Sequence, residues 1–155
     1  MRAEPVGPDD WVDWRTLRLE ALQEAPQAFC RTYDETLAWT EADWRAMLGR
    51  PGGWWLVRDD GAVRAMASTW EEGGRHWLGA VYVTPDTRGQ GLLDELVGRG
   101  AAWAREQGAP TLHLEVHEDN APARAAYIRL GFTETGGRRP YPLGPGDELE
   151  MVLAL

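Results

Sequence analysis

Apolar residues recur along the chain at two different spacings, and the change of period divides it into helices and strands. Near the start, Trp11, Trp14, Leu17 and Ala21 lie three or four residues apart. That spacing puts them on one face of a helix that Asp9 or Asp10 can cap and Pro26 stops. Thr40 with Asp43 resembles a capping box and predicts a second, short helix to about Leu48, ended by Pro51-Gly52-Gly53. Positions 54–58 and 62–71 then read as strands joined at Asp59-Asp60-Gly61, a strong hairpin signal, with a third strand over 77–83 after Gly73-Gly74.

Helical spacing returns in Leu92, Leu93, Leu96, Val97, Ala101 and Ala104, one apolar stripe of a long helix closed by Gly108 and Pro110. From 111 to 117 the pattern alternates strictly, with Leu112, Leu114 and Val116 on one side of a strand and His113, Glu115 and His117 on the other. A helix over 121–130 ends at Gly131; a short strand over 132–135, a Gly/Pro-rich loop over 136–147 and a last strand over 148–153 follow. Hairpins followed by a strand-helix-strand crossover predict an α/β fold, a mixed central sheet covered by helices, with parallel strands at the crossover. With no internal repeats, residues 1–155 are expected to form a single domain. A domain of that size buries ~70% of its extended-chain surface and needs no disulfide or metal to fold.

Twenty-five acidic against sixteen basic residues give a net charge of -9. That balance opposes a phosphate backbone and favours a cationic partner such as an amine, although it also serves solubility alone. Nucleic acid is therefore not an expected partner. Cys30 is the only cysteine, which allows no internal disulfide or cysteine-held metal and suits a reducing compartment. The first ten residues lack the apolar run of a secretory signal, and no segment approaches the roughly 20 apolar residues of a membrane span. A cytoplasmic protein with no membrane partner is expected. His113 and His117, four residues apart on one strand, would stand about 13 Å from each other, too far to share an ion, so no metal is expected.

Candidate chemistry begins after the third strand. Arg88-Gly89-Gln90-Gly91-Leu92-Leu93 falls where a strand gives way to the long helix, and free backbone N–H groups with the helix dipole favour an anion there. Two glycines permit close approach and Arg88 adds a fixed charge, so a pyrophosphate fits; a plain glycine turn is the simpler reading of the segment alone. A dinucleotide fingerprint would need glycine at Asp94, and a P-loop needs a lysine the chain lacks. Val81-Tyr82-Val83-Thr84-Pro85 followed by this turn resembles the coenzyme A motif of the GNAT acetyltransferases: a strand, an Arg/Gln-x-x-Gly-x-Gly/Ala turn, then a helix. Downstream, Asn120, Ala123, Tyr127 and the Gly131-Phe132 pair are similar to the second GNAT signature, Asn-x-x-Ala-x-x-x-Tyr with a closing Gly-Phe.

The resemblance implies acetyl-CoA as co-substrate, no metal, and transfer of the acetyl group to a primary amine, of a small molecule or a peptide N-terminus, by direct attack on the thioester. It implies that the strand at Val81, Tyr82 and Val83 holds the pantetheine and thioester carbonyl. The turn from Arg88 through Gly89, Gln90, Gly91, Leu92 and Leu93 would hold the pyrophosphate, with Asn120 and Ala123 on the pantetheine arm. Leu93 departs from the family pattern, which has Gly or Ala there. The spacing from Glu115 to Tyr127 resembles that of the branch acetylating the N-terminal alanine of a ribosomal protein, which makes Glu115 the base and Tyr127 the acid. A phenol of pKa ~10 gives its proton to a thiolate of ~8.5 only uphill, so Tyr127 as a hydrogen-bond donor is the alternative. Taken singly, an exposed strand glutamate, a helix cap and a core tyrosine are the simpler readings of Glu115, Asn120 and Tyr127. For the acceptor, the resemblance implies the region around Phe29 and Tyr33 and the 136–147 loop with Arg138, Arg139 and Tyr141. The two arginines suit an acceptor carboxylate and the neighbouring acids a polyamine. A homodimer is left open, and the alternative to an enzyme is an acyl-CoA-binding domain of the same fold that performs no transfer.

Overall fold

The computed structural model describes residues 1–155. A three-residue strand, β1 (Ala3–Pro5), is followed by α1 (Trp11–Glu24), α2 (Tyr33–Leu37) and α3 (Glu41–Leu48). The expected capping box opens α3: Thr40 Oγ1 accepts from the Asp43 N–H and Asp43 Oδ2 accepts from the Thr40 N–H. At α1 the expected aspartate cap is not made. Asp10 instead accepts from the Gly7 N–H at 3.0 Å and pairs with Arg58 at 2.9 Å, and a single 3-10 turn over Pro8–Asp10 leads into the helix.

The strands β2 (Gly53–Asp59), β3 (Ala62–Glu72) and β4 (Arg75–Val83) form a meander. Asp60 and Gly61 both take left-handed angles, φ 52° and 82°, as the tight turn between β2 and β3 requires. Then come α4 (Leu92–Glu106), β5 (Thr111–His117), α5 (Ala121–Arg129), β6 (Thr133–Pro140) and β7 (Asp147–Ala154). The sheet runs β1-β2-β3-β4-β5-β7-β6, antiparallel throughout except between β4 and β5, the crossover pair. On one face, Leu92, Leu96, Val97, Ala101 and Ala104 of α4 bury against Leu78, Leu112, Leu114 and Met151. A Cβ at Gly100 would meet Leu78 at 3.2 Å, so the missing side chain lets the helix lie close on the sheet. On the other face, Trp14, Leu17, Ala21 and Leu22 of α1 and Trp44 and Leu48 of α3 cover Leu56, Met66 and Tyr82.

The expected loop over 136–147 is corrected. β6 runs on to Pro140, with Arg138 opposite Leu149, Arg139 opposite Glu148 and Pro140 opposite Asp147, after an irregularity between Glu134 and Arg138 that spans Gly136-Gly137. All of β6 is exposed, so no hydrophobic alternation marks it, and backbone pairing with β7 alone makes it a strand. Only residues 141–146 remain as the connection to β7.

Candidate active site

β4 and β5 share one bridged pair, Trp77 with His113, and then part. A cavity of about 870 Å³ opens between them, walled by residues 78–83 of β4, 114–117 of β5 and the inner side of α5. A bulge in β4 accompanies the parting: Ser68 faces Gly79 and Met66 faces Tyr82, which leaves one extra residue on β4, and Ala80 takes φ 50°. A left-handed alanine costs about 1–2 kcal/mol, and a bulge bends its strand. The Thr84 N–H donates to Arg64 O on β3, so alternation turns the backbone of Val83, and of Val81 before it, toward the cavity. Val83 O is free enough on that side to accept from Arg88 Nε at 3.1 Å.

The glycine turn contributes Arg88, Gly89, Gly91, Leu92 and Leu93 to the lining. A hydroxyl pair, Thr84 with Thr87 at 2.7 Å, pins the single 3-10 turn that delivers Arg88. Gly89 and Gly91 have φ 80° and 82°, and nothing lies within 4 Å of where their Cβ atoms would be, so a ligand can come directly onto the backbone. None of the N–H groups from Gly89 through Leu93 donates a hydrogen bond within the protein, and α4 begins without a side-chain cap. Arg88 pairs with Glu24 at 2.8 Å; that hydrogen bond holds the Glu24 carboxyl below its usual range and raises the Arg88 guanidinium. Leu93 lines the cavity and packs against the α4-side core, whereas the Gln90 side chain is exposed and outside the lining.

Asn120, Tyr127 and Glu115 line the same cavity. Asn120 Oδ1 accepts from the Ala123 N–H at 3.3 Å, which caps α5 and fixes its start at the cavity wall. Tyr127 is buried edge-on to Phe132, 5.6 Å between ring centres; its hydroxyl makes no hydrogen bond within the protein, and burial raises its pKa. Glu115 Oε2 lies 2.7 Å from Arg139 Nε. Burial raises the Glu115 pKa, the Arg139 charge pulls it back, and Glu148 pushes it up again. Glu148, which the sequence reading missed, is buried beside it and accepts from Cys30 Sγ at 3.3 Å. Burial first, then the Glu148 charge, lift the Cys30 pKa to about 11, so it stays a thiol. The alternation of Glu148 and Glu150 with Leu149 and Met151 was the available signal, since it places both acids on the face of Glu115.

The two strand histidines have other partners. His113 bonds Thr111 and Glu150, and His117 donates from Nε2 to Pro145 O while its Nδ1 accepts from the Asp119 N–H. No group of three or more His, Cys, Asp or Glu side chains is placed to hold a metal ion.

A second cavity, about 480 Å³, adjoins the first and shares Ala28, Leu78, Gly79, Ala80, Glu115 and Glu148 with it. Trp14, Trp54, Trp70, Trp77 and Phe29 give it aromatic walls. Of the expected acceptor residues, Phe29 is there, but Tyr33 and Tyr141 line neither cavity. Tyr33 packs against the α1-side core, and the Tyr141 hydroxyl is taken up by Phe29 O at 2.8 Å and Pro26 O at 3.2 Å. Arg138 is bound to Glu118 and Asp147, and Arg139 to Glu115 and Glu148, so neither is free for an acceptor carboxylate.

Residues 11–132 match the acetyltransferase (GNAT) family. The mycothiol acetyltransferase of Salinispora tropica is 32% identical over 155 aligned residues, which cover 93% of this chain and 48% of that protein. The chain spans less than half the length of the mycothiol acetyltransferases it matches. Among solved structures, the ribosomal-protein-S18-alanine N-acetyltransferase of Escherichia coli superposes with a TM-score of 0.72 at 25% identity, covering 98% of this chain and 92% of that one. The yncA protein of Salmonella typhimurium, solved with its cofactor acetyl-CoA, superposes with a TM-score of 0.73 at 25% identity, covering 100% and 94%. In sequence and in the mixed sheet with its covering helices, the chain belongs to the GNAT family of acetyltransferases.

Proposed function

We propose that this chain is an acetyl-CoA-dependent N-acetyltransferase acting on a primary amine of a small molecule or a peptide N-terminus. The observation that carries this reading is the cleft between β4 and β5, which is lined both by the glycine turn, with unengaged amides from Gly89 to Leu93, and by Glu115 and Tyr127. The residues fit acetyl-CoA. Amides at a helix start suit a pyrophosphate, Arg88 adds charge, and the backbone of Val81 and Val83 offers pairing to an amide-bearing arm beside Asn120 and Ala123. Bound there, acetyl-CoA supplies a thioester carbonyl for the amine to attack.

An amine of pKa ~8 to ~10.4 is mostly protonated at neutral pH, so it needs a base. Glu115 fills that role at the meeting of the two cavities, and a carboxylate raised above its ordinary value is the better acceptor near neutrality. The Val83 N–H, turned to the cavity, is the donor available where negative charge develops on oxygen. Tyr127 keeps its proton, because burial raises its pKa, and serves as a hydrogen-bond donor to the departing sulfur. The acceptor enters through the second cavity, which meets the first at Glu115 and Glu148. A free Cys30 and dependence on acetyl-CoA suit a cytoplasmic setting; no helix is long and apolar enough to cross a membrane.

Two measurements test this reading. A ligand at 100 times its Kd stabilises a fold by about 2.7 kcal/mol, so acetyl-CoA should raise the melting temperature clearly. Free thiol release with a panel of amines should follow, and Glu115→Gln should cut it at least about tenfold while keeping the thermal shift. Absence of any shift would remove the cofactor assignment. A shift without thiol release on any amine would make the chain an acyl-CoA-binding domain.

A further inference from the structure

The second cavity holds a positive charge that no group of the protein neutralises. Arg18, on α1, lines it together with Phe29, Trp54, Trp70 and Trp77. Its guanidinium carbon sits over the Phe29 ring, 4.3 Å from the centroid, and the side chain forms no ion pair or hydrogen bond within the protein. Stacking covers one face of a guanidinium and leaves its in-plane N–H donors open. Burial, then the like charge of Arg31, bring its pKa down to about 10. Of the carboxylates in the cavity's lining, Glu115 and Glu148 border the junction with the cofactor cleft, while Glu72, like Arg50, is an exposed residue of the wall. The cavity is therefore polarised, with a cation on the α1 wall, acids at the junction and aromatic rings lining it.

We infer that the acceptor is a molecule of the amino-acid class, carrying both a carboxylate and the amine that is acetylated. This rests on the acetyl-transfer reading above. Its carboxylate is held by Arg18, its apolar body lies against the tryptophans, and its amine reaches Glu115 and Glu148. A polyamine is disfavoured, because it would bring a like charge to Arg18. An ordinary peptide N-terminus is disfavoured too, because its first residue has an amide where Arg18 asks for a carboxylate.

The probes are L-phenylalanine and L-phenylalaninamide, nearly equal in shape and differing in the carboxylate, titrated calorimetrically at about pH 6, where both amines are largely protonated. A hydrogen-bonded charge pair makes L-phenylalanine the tighter ligand by about tenfold or more. Arg18→Met abolishes the difference between the two, and Arg18→Lys keeps part of it. Equal binding of the two probes, tighter binding of the amide, or binding of neither overturns the inference, and the wild-type comparison decides this even if Arg18→Met does not fold. The thermal shift with acetyl-CoA is read separately, so loss of the amino-acid preference and loss of the cofactor reading are distinguishable.

Discussion

Arg139 Nε lies 2.7 Å from Glu115 Oε2, and the same guanidinium reaches Glu148 Oε1 at 3.7 Å. One cation thus bridges the two carboxylates where the cofactor cleft meets the second cavity. The sheet arranges this: Arg139 faces Glu148 across β6 and β7, and β7 lies beside β5, which carries Glu115. Glu115 is consequently pulled both ways, raised by burial and by Glu148 and lowered by Arg139, with burial the largest influence.

The pH profile of kcat/KM follows from that balance. A base works when deprotonated, so activity appears as pH rises through the raised Glu115 pKa, and the acid limb lies above the ordinary glutamate range. Arg139→Gln removes the cation that lowers the pKa, and the limb moves to higher pH. Glu148→Gln removes a like charge, and the limb moves to lower pH. Profiles of the two variants check the signs, and a limb that stays in place in both would take Glu115 out of the proton path.

Tyr127→Phe keeps the ring that packs on Phe132 and removes only a hydroxyl that has no partner in the protein. Stability and the KM for acetyl-CoA should therefore change little. Turnover should fall at least about tenfold, the low end of what a positioned donor contributes. Steady-state rates at saturating acetyl-CoA would show it, and unchanged turnover would assign Tyr127 to packing alone.

Much of this was legible because it rests on local patterns. The hairpin at Asp60-Gly61 needs left-handed residues, the α4 stripe has helical period, and β5 alternates, so each element announces itself over a few residues. What escaped depends on distant partners. β1 buries only Ala3 and exists through its pairing with β2, and β6 carries no apolar face at all. α2 was missed although Thr32 and Glu35 form a capping box that could have revealed it. The second cavity collects Trp14, Trp54, Trp70 and Trp77 from one helix and three strands, and its Arg18 is distinguished from the paired Arg139 only by the contacts it lacks. Leu93, the departure in the turn, packs on the core while also lining the cleft, and the turn's unengaged donors belong to the backbone.

Glu24 competes for the charge that the pyrophosphate would use. Its carboxylate holds Arg88 at 2.8 Å on a partly exposed surface, where such a pair contributes ~0.2–1 kcal/mol. Glu24→Gln should free Arg88 and tighten acetyl-CoA by about twofold to fivefold, whereas Arg88→Gln should weaken it. Fluorescence or calorimetric titration with acetyl-CoA gives both values. A Glu24→Gln variant that binds more weakly would mean the pair orients Arg88 rather than restrains it.

Tyr141 offers a test of the acceptor wall that touches no proposed ligand. Its hydroxyl joins the connection between β6 and β7 to the carbonyls of Pro26 and Phe29, in the segment that also supplies Ala28, Phe29 and Cys30 to the second cavity. Tyr141→Phe leaves the Phe29 carbonyl without its donor, while Pro26 O still accepts from the Phe29 N–H. Since a net hydrogen bond is worth ~0.5–1.5 kcal/mol, the fold should lose about that much by denaturant unfolding. The loosened segment carries Phe29, on which Arg18 stacks, so the acceptor KM should rise several-fold while kcat at saturating acceptor changes little. The opposite split, an unchanged acceptor KM with a lower kcat, would place this latch under the chemistry at Glu115 rather than under acceptor binding.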